Sequence, residues 1–117
     1  MSLDQKSCVP CRGGVDPYDR PKIKEYLKQL KADWQVVEDN KKIQLKFEVK
    51  DFMAAVDFIN KAAQVAEKEY HHPDLCITSY KTVTITIYTH KIDGLWESDF
   101  ILAAKLEKLI PKTKPTN

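Results

Sequence analysis

Between Lys42 and Val49 the chain alternates without a break, with Ile43, Leu45, Phe47 and Val49 on one side and Lys42, Gln44, Lys46 and Glu48 on the other. Successive side chains of a strand point to opposite faces, so this period of two commits the segment to a half-buried β-strand. The pattern returns from Thr82 to Tyr88, where Val83, Ile85 and Ile87 alternate with threonines and Tyr88. Two one-sided strands need a cover, and the stretch between them supplies it. Asp51 suits a helix N-cap, and Phe52, Ala55, Val56, Ile59, Ala62, Ala63 and Ala66 form the apolar stripe of a long helix ending near Tyr70. The four alanines on that stripe allow a close approach to a sheet.

The remaining elements fall around this frame. Ile23, Tyr26, Leu27 and Leu30 repeat at helical spacing from Lys22, with Asp19 or Pro21 near the start. Trp34, Val36 and Val37 precede the turn-forming Asp39-Asn40, which predicts a hairpin into the first alternating strand. Cys76 to Tyr80 reads as a third strand, Lys91 to Gly94 as a turn, and Phe100 to Ile110 as the apolar side of a last helix that begins about Ser98 and that Pro111 terminates. The order is helix, strand, strand, helix, strand, strand, helix. Short connections make the pairing mostly antiparallel, and the expected architecture is an α+β two-layer sandwich with helices on one face. Residues 1–20, with Pro10, Gly13, Gly14 and Pro17, read as an irregular amino-terminal arm, and residues 21–117 as a single domain.

A chain of 117 residues is one domain, long enough to bury a core. Its 19 basic and 17 acidic residues are interspersed and leave a formal charge of +2, so no electrostatic footprint argues for nucleic acid or a membrane surface. No apolar run approaches the ~20 residues of a membrane span. The segment Met1 to Lys6 lacks the apolar stretch of a signal peptide, so the expected location is intracellular. Three cysteines argue against a disulfide framework. Cys8 and Cys11 form one Cys-x-x-Cys without a second ligand pair for zinc, and read as reduced thiols.

All three histidines lie between Glu67 and Asp99, as His71-His72-Pro73 and His90. Pro73 cannot continue the helix and biases His72 toward an extended backbone, which puts the pair at the junction of helix and strand. By parity His90 falls on the threonine face at the end of its strand, available to a cleft. Histidines that only fill a turn are the bland alternative. A metal held by His71, His72, His90 and Asp99 is conceivable, but adjacent histidines rarely point at one centre and no helical His-x-x-x-His spacing is present. A nucleophilic hydrolase has no Gly-x-Ser-x-Gly elbow to rest on. Imidazoles with pKa near ~6.5 exchange protons at neutral pH without a cofactor, and a carboxylate such as Asp99 fixes the tautomer of one of them. That equipment suits an elimination or hydration, for which proton transfer contributes roughly 10²- to 10⁴-fold in rate.

Glu67, His71-His72-Pro73, Tyr80, His90 and Asp99, with three, six, nine and eight residues between them, resemble the signature of the pterin-4a-carbinolamine dehydratases. Leu30-x-x-x-Trp34, the Phe52 to Glu67 helix, Thr89-His90 and Gly94-Leu95 extend the likeness over roughly Ile23 to Leu109. The resemblance implies a four-stranded antiparallel sheet with three helices on one face, and a lyase that dehydrates 4a-hydroxytetrahydrobiopterin to quinonoid dihydrobiopterin, so recycling tetrahydrobiopterin. By position, His71 and His90 would be the general acid and base, and Asp99 would partner a histidine. His72 with Pro73 would bind and orient the pterin. Trp34 and Glu67 would line or support the pocket, and backbone near Tyr70, Tyr88 and Thr89 would meet the pyrimidinone edge. The likeness further implies no metal and no cofactor, a homodimer or homotetramer paired through edge strands and helices, and a cytoplasmic location with the nucleus as a second. The alternative it carries is an interaction module, a transcriptional coactivator or dimerisation cofactor of a homeodomain transcription factor using the same fold. Two positions depart from the family pattern: Trp96 replaces an N-cap hydroxyl, and Ser98 stands where a basic residue is common before the Asp.

Overall fold

The two alternating segments become neighbours at the centre of one sheet. In the computed structural model, which describes residues 2–9 and 13–111, β1 (Gln35–Val37), β2 (Lys42–Glu48), β3 (Asp74–Thr78) and β4 (Thr82–Ile87) pair antiparallel in the order β1-β2-β4-β3. Leu45 lies opposite Ile85 and Phe47 opposite Val83. Ile43, Leu45, Val83, Ile85 and Ile87 are buried beneath three helices: α1 (Arg20–Leu27), α2 (Phe52–Glu69) and α3 (Glu97–Glu107). The opposite face carries Gln44, Lys46 and the threonines of β4 and stays open. This is the expected α+β sandwich, and the period of two explains it, because only one side of each strand has apolar surface to bury.

The helix starts follow their caps. Asp19 accepts from Lys22 N at 3.1 Å and Asp51 from Ala54 N at 2.8 Å. On α2 the buried line is Ala55, Phe58, Ala62, Ala66 and Glu69, and Phe58 meets Phe47 edge-on at 5.0 Å. The expected stripe therefore needs correction. Phe52, Val56, Ile59 and Ala63 lie about a quarter-turn further round the helix at 100° per residue, and Phe52 remains 50% exposed. Two other boundaries also move. β3 starts at Asp74, directly after Pro73, and ends at Thr78, because Ser79 and Tyr80 take left-handed turn conformations (φ 47° and 54°) that no strand accepts. α3 ends at Glu107, so Leu109 and Ile110 pack from irregular backbone and Pro111 terminates nothing. Among the described residues no helix is long and apolar enough to cross a membrane.

The amino-terminal arm lies against the domain. Leu3, in a single 3-10 turn at Leu3–Gln5, is only 3% exposed in the core. Val9 N donates to Ser98 Oγ at 3.0 Å, and Ser98 Oγ donates to Val9 O at 3.2 Å, so the residue that departs from the family pattern brackets the arm. Cys8 N donates to Glu69 Oε1 at 2.9 Å, and Lys105 reaches Glu69 Oε2 at 2.9 Å. Burial and the neighbouring Glu69 carboxylate push the Cys8 thiol up to about 12, which keeps it protonated and donating to Ser98 O. Cys11 lies outside the described residues, so the paired-thiol reading rests on Cys8 alone. Further along, a Cβ on Gly94 would sit 2.6 Å from Pro17 Cβ, and this close approach requires glycine.

Candidate active site

The site begins where α2 stops. Tyr70 takes the left-handed conformation (φ 54°, ψ 35°), its N–H bonds Glu67 O, and His71 N bonds Ala66 O at 3.2 Å. These two bonds form a Schellman ending, here without the usual glycine. A left-handed non-glycine residue costs roughly 1–2 kcal/mol, and such strain collects at functional positions. The ending turns the chain sharply, so His71 points inward while His72 stays on the surface.

His71 is 12% exposed, and its Nε2 lies 2.7 Å from Asp99 Oδ1. Asp99 is completely buried in the first turn of α3, where the helix N-terminus favours negative charge. Two other donors satisfy it. Thr89 Oγ1 donates toward Oδ1 at 3.0 Å and Oδ2 at 2.9 Å, and Trp96 N donates to Oδ2 at 3.0 Å. With Nε2 engaged, Nδ1 is the His71 nitrogen left for a ligand. An acceptor-only carboxylate at Nε2 also stabilises the imidazolium that forms when Nδ1 takes a proton.

His90 comes from the other side. β4 ends at Ile87, Tyr88 and Thr89 continue extended, and His90 opens a 3-10 turn, His90–Ile92. The Tyr88 ring lies beside it, tilted by 48° at 4.3 Å between ring centroids, and the Tyr88 hydroxyl lies 3.0 Å from His90 Nδ1. Lys42 Nζ lies over the Tyr88 ring at 4.4 Å from the centroid. His90 Nε2 is thereby the nitrogen left free. The two histidines share an open cleft of about 310 Å³, lined by Tyr70, His71 and His72 from the end of α2 and by Tyr88, Thr89, His90 and Lys91 from the end of β4.

Seven residues thus meet, six of them expected from the sequence. Glu67 pairs with His72 Nε2 on the exposed rim, and Pro73 sits half-buried behind the pair. Trp34 is not brought to the cleft. It is 5% exposed in the core, and its indole donates to Glu107 Oε1 at 3.0 Å, at the far end of α3 from Asp99. Lys91 was missed; its adjacency to His90 at a strand end was the available signal. The bonding roles of Thr89 and Trp96 were missed as well, since neither side chain ranks as a candidate on its own. Among the described residues, no three His, Cys, Asp or Glu side chains group to hold a metal ion.

Comparison with known proteins follows the same residues. The model of the family described as pterin 4 alpha carbinolamine dehydratase matches residues 16–109. A Rickettsia bellii protein provisionally named a pterin-4-alpha-carbinolamine dehydratase is 47% identical over 108 residues, covering 92% of this chain and 94% of its own. One from Alkaliphilus metalliredigens, with the same provisional name, is 45% identical over 92% of this chain and 95% of its own. The crystal structure of a transcriptional coactivator/pterin dehydratase from Brucella melitensis superposes with a TM-score of 0.72 at 33% identity, covering 80% of this chain and 98% of that one.

Proposed function

The chain belongs to the pterin-4a-carbinolamine dehydratase family, and from that premise we propose that it is a hydro-lyase converting 4a-hydroxytetrahydrobiopterin to quinonoid dihydrobiopterin, with His71 and His90 as its acid–base pair. The observation that carries this reading is that one carboxylate-backed histidine and one tyrosine-backed histidine line a single cleft.

The chemistry needs two proton movements. One histidine takes the N5 proton, and the N5–H electron pair becomes the C4a=N5 double bond. The C4a–O bond breaks, and the other histidine gives its proton to the departing hydroxyl, which leaves as water. No net proton is consumed, so two imidazoles of opposite protonation state suffice. His72 and Tyr70 orient the flat pterin, with Pro73 and Glu67 holding His72, and the backbone of Tyr88 and Thr89 meets the pyrimidinone edge. The same reading makes the protein a homo-oligomer acting in tetrahydrobiopterin recycling in the cytoplasm, without a cofactor. A second reading, a protein-interaction role, is supported by the coactivator description of the Brucella protein and by Phe52 and Met53, 50% and 70% exposed on α2.

The test follows dehydration of freshly generated 4a-hydroxytetrahydropterin after chelation, comparing the intact protein with His71→Ala and His90→Ala. Turnover above background that survives the chelator and falls in both variants is expected. Background turnover by folded intact protein would sink the dehydratase reading and favour the interaction role.

A further inference from the structure

We propose that Trp96 is a positioning residue of this site: its indole N–H, acting through the Thr89 hydroxyl, commits that hydroxyl's proton to Asp99 and so holds Asp99 as the acceptor for His71. The kinetic part of this inference rests on the proposed dehydratase activity; the spectroscopic part does not.

Proton counting carries the argument. An indole nitrogen only donates, and a threonine hydroxyl has one proton and two lone pairs. Trp96 Nε1 lies 3.1 Å from Thr89 Oγ1 and must be the donor there. The hydroxyl proton therefore turns to its other partners, and both are Asp99 oxygens, at 3.0 and 2.9 Å. Trp96 also donates its backbone N–H to Asp99 Oδ2 at 3.0 Å. Both N–H groups of one residue thus bear on one carboxylate, the first directly and the second through a hydroxyl. Every one of these partners is a donor, which leaves Asp99 Oδ1 as an acceptor facing His71 Nε2 at 2.7 Å. Hydrogen bonds linked in series polarise one another, so the indole strengthens the bond that Thr89 makes to the carboxylate.

The choice of residue supports the same conclusion. Trp96 occupies the N-cap of α3 and makes no side-chain cap bond to the helix. Serine, threonine, aspartate or asparagine would serve the helix better there. The helix start is held instead by Asp99, which accepts from Trp96 N, while the indole reaches sideways to Thr89. A residue that breaks a local rule in favour of a bond two steps from the acid–base histidine is behaving as part of the site.

The experiment uses Trp96→Phe, Thr89→Val and Thr89→Ser in the intact chain. Thr89→Val is nearly isosteric and guards against a folding failure in Trp96→Phe. The first readout is the ¹⁵N-labelled His71 Nε2–H proton, assigned by its loss in His71→Gln. It should exchange with water severalfold faster in Trp96→Phe and Thr89→Val and return to the native rate in Thr89→Ser. The second readout separates kcat from KM. Removal of a hydrogen bond to a charged group should lower kcat about tenfold in Thr89→Val and about threefold in Trp96→Phe, with KM within about twofold. Unchanged Nε2–H exchange in both folded variants would overturn the proposal, as would kcat and KM moving together. A protein without pterin turnover whose Nε2–H signal responds as described would uphold the positioning role while refuting the dehydratase reading.

Discussion

At the carboxyl end of α3, Glu107 collects the N–H groups of Lys31 at 2.8 Å, Ala32 at 2.9 Å and the Trp34 indole at 3.0 Å. At the amino end, Asp99 collects the Trp96 N–H, the Thr89 hydroxyl and the His71 ring. Both carboxylates gather three donor groups, those of Glu107 from 73 to 76 positions away and those of Asp99 from 3, 10 and 28 positions away, and a tryptophan stands beside each. They differ in one donor. Those of Glu107 never give up a proton, so that end is a clasp between the α1–β1 connection and α3. Asp99 has an imidazole in place of a fixed donor, and the imidazole opens onto a cleft. An imidazole in place of one permanent donor is what the proposed proton-handling role requires of this end.

Four changes break or sharpen that contrast. The largest effect is expected at the titratable end: Asp99→Asn keeps the shape but should lower dehydration roughly 10²- to 10³-fold, the share that proton transfer supplies, in a steady-state assay. At the fixed end, Glu107→Gln should leave kcat within about twofold while unfolding becomes easier by ~1 kcal/mol, because the buried Trp34 indole and two backbone N–H groups lose part of their acceptor. Thermal melting would read this as a drop of several degrees. A large loss of turnover in Glu107→Gln would dissolve the distinction between the two ends.

The third change concerns Glu69, the last residue of α2, which pairs with Lys105 of α3. Burial opposes its charge, but the Cys8 N–H and Lys105 outweigh it and hold the carboxyl below its ordinary value of 4.5. A depressed folded value stabilises the protein above that pH, and the contribution is lost as pH falls through the folded value. Glu69→Gln should therefore be ~1–2 kcal/mol less stable near neutrality, with the gap closing below pH 4.5 in denaturant titrations at several pH values. The smallest effect belongs to Lys91, exposed at the cleft wall. Lys91→Ala should change KM by no more than about threefold, since exposed charges contribute little.

The same two ends show how far the sequence could be read. Strict alternation located β2 and β4, and a proline after two histidines located the end of α2, because period and backbone restriction are local properties. That Asp99 partners a histidine was legible through family spacing, whereas its being His71 rests on the tertiary contact. Trp34 was not placed, since nothing local distinguishes an indole bonded to Glu107 from one lining a cleft. The stripe on α2 held Ala55, Ala62 and Ala66, which are buried, but was read too wide, because Phe52, Val56, Ile59 and Ala63 a quarter-turn away are as apolar as the residues that face the sheet. Trp96 and Ser98 were legible only as departures. Their roles depend on Thr89 and Val9, which reach them through tertiary contact.

The bracket between Val9 and Ser98 spans 89 positions, and the His71–Asp99 bond spans 28. Closing long loops is slow because chain entropy is lost before the contacts repay it. The β2 alternation and the β3–β4 hairpin need no such closure. On refolding from denaturant, sheet and helix signals should therefore recover first. The His71–Asp99 pair should appear only when α3 locks down between α2 and the arm, so regained activity will time the final step of assembly.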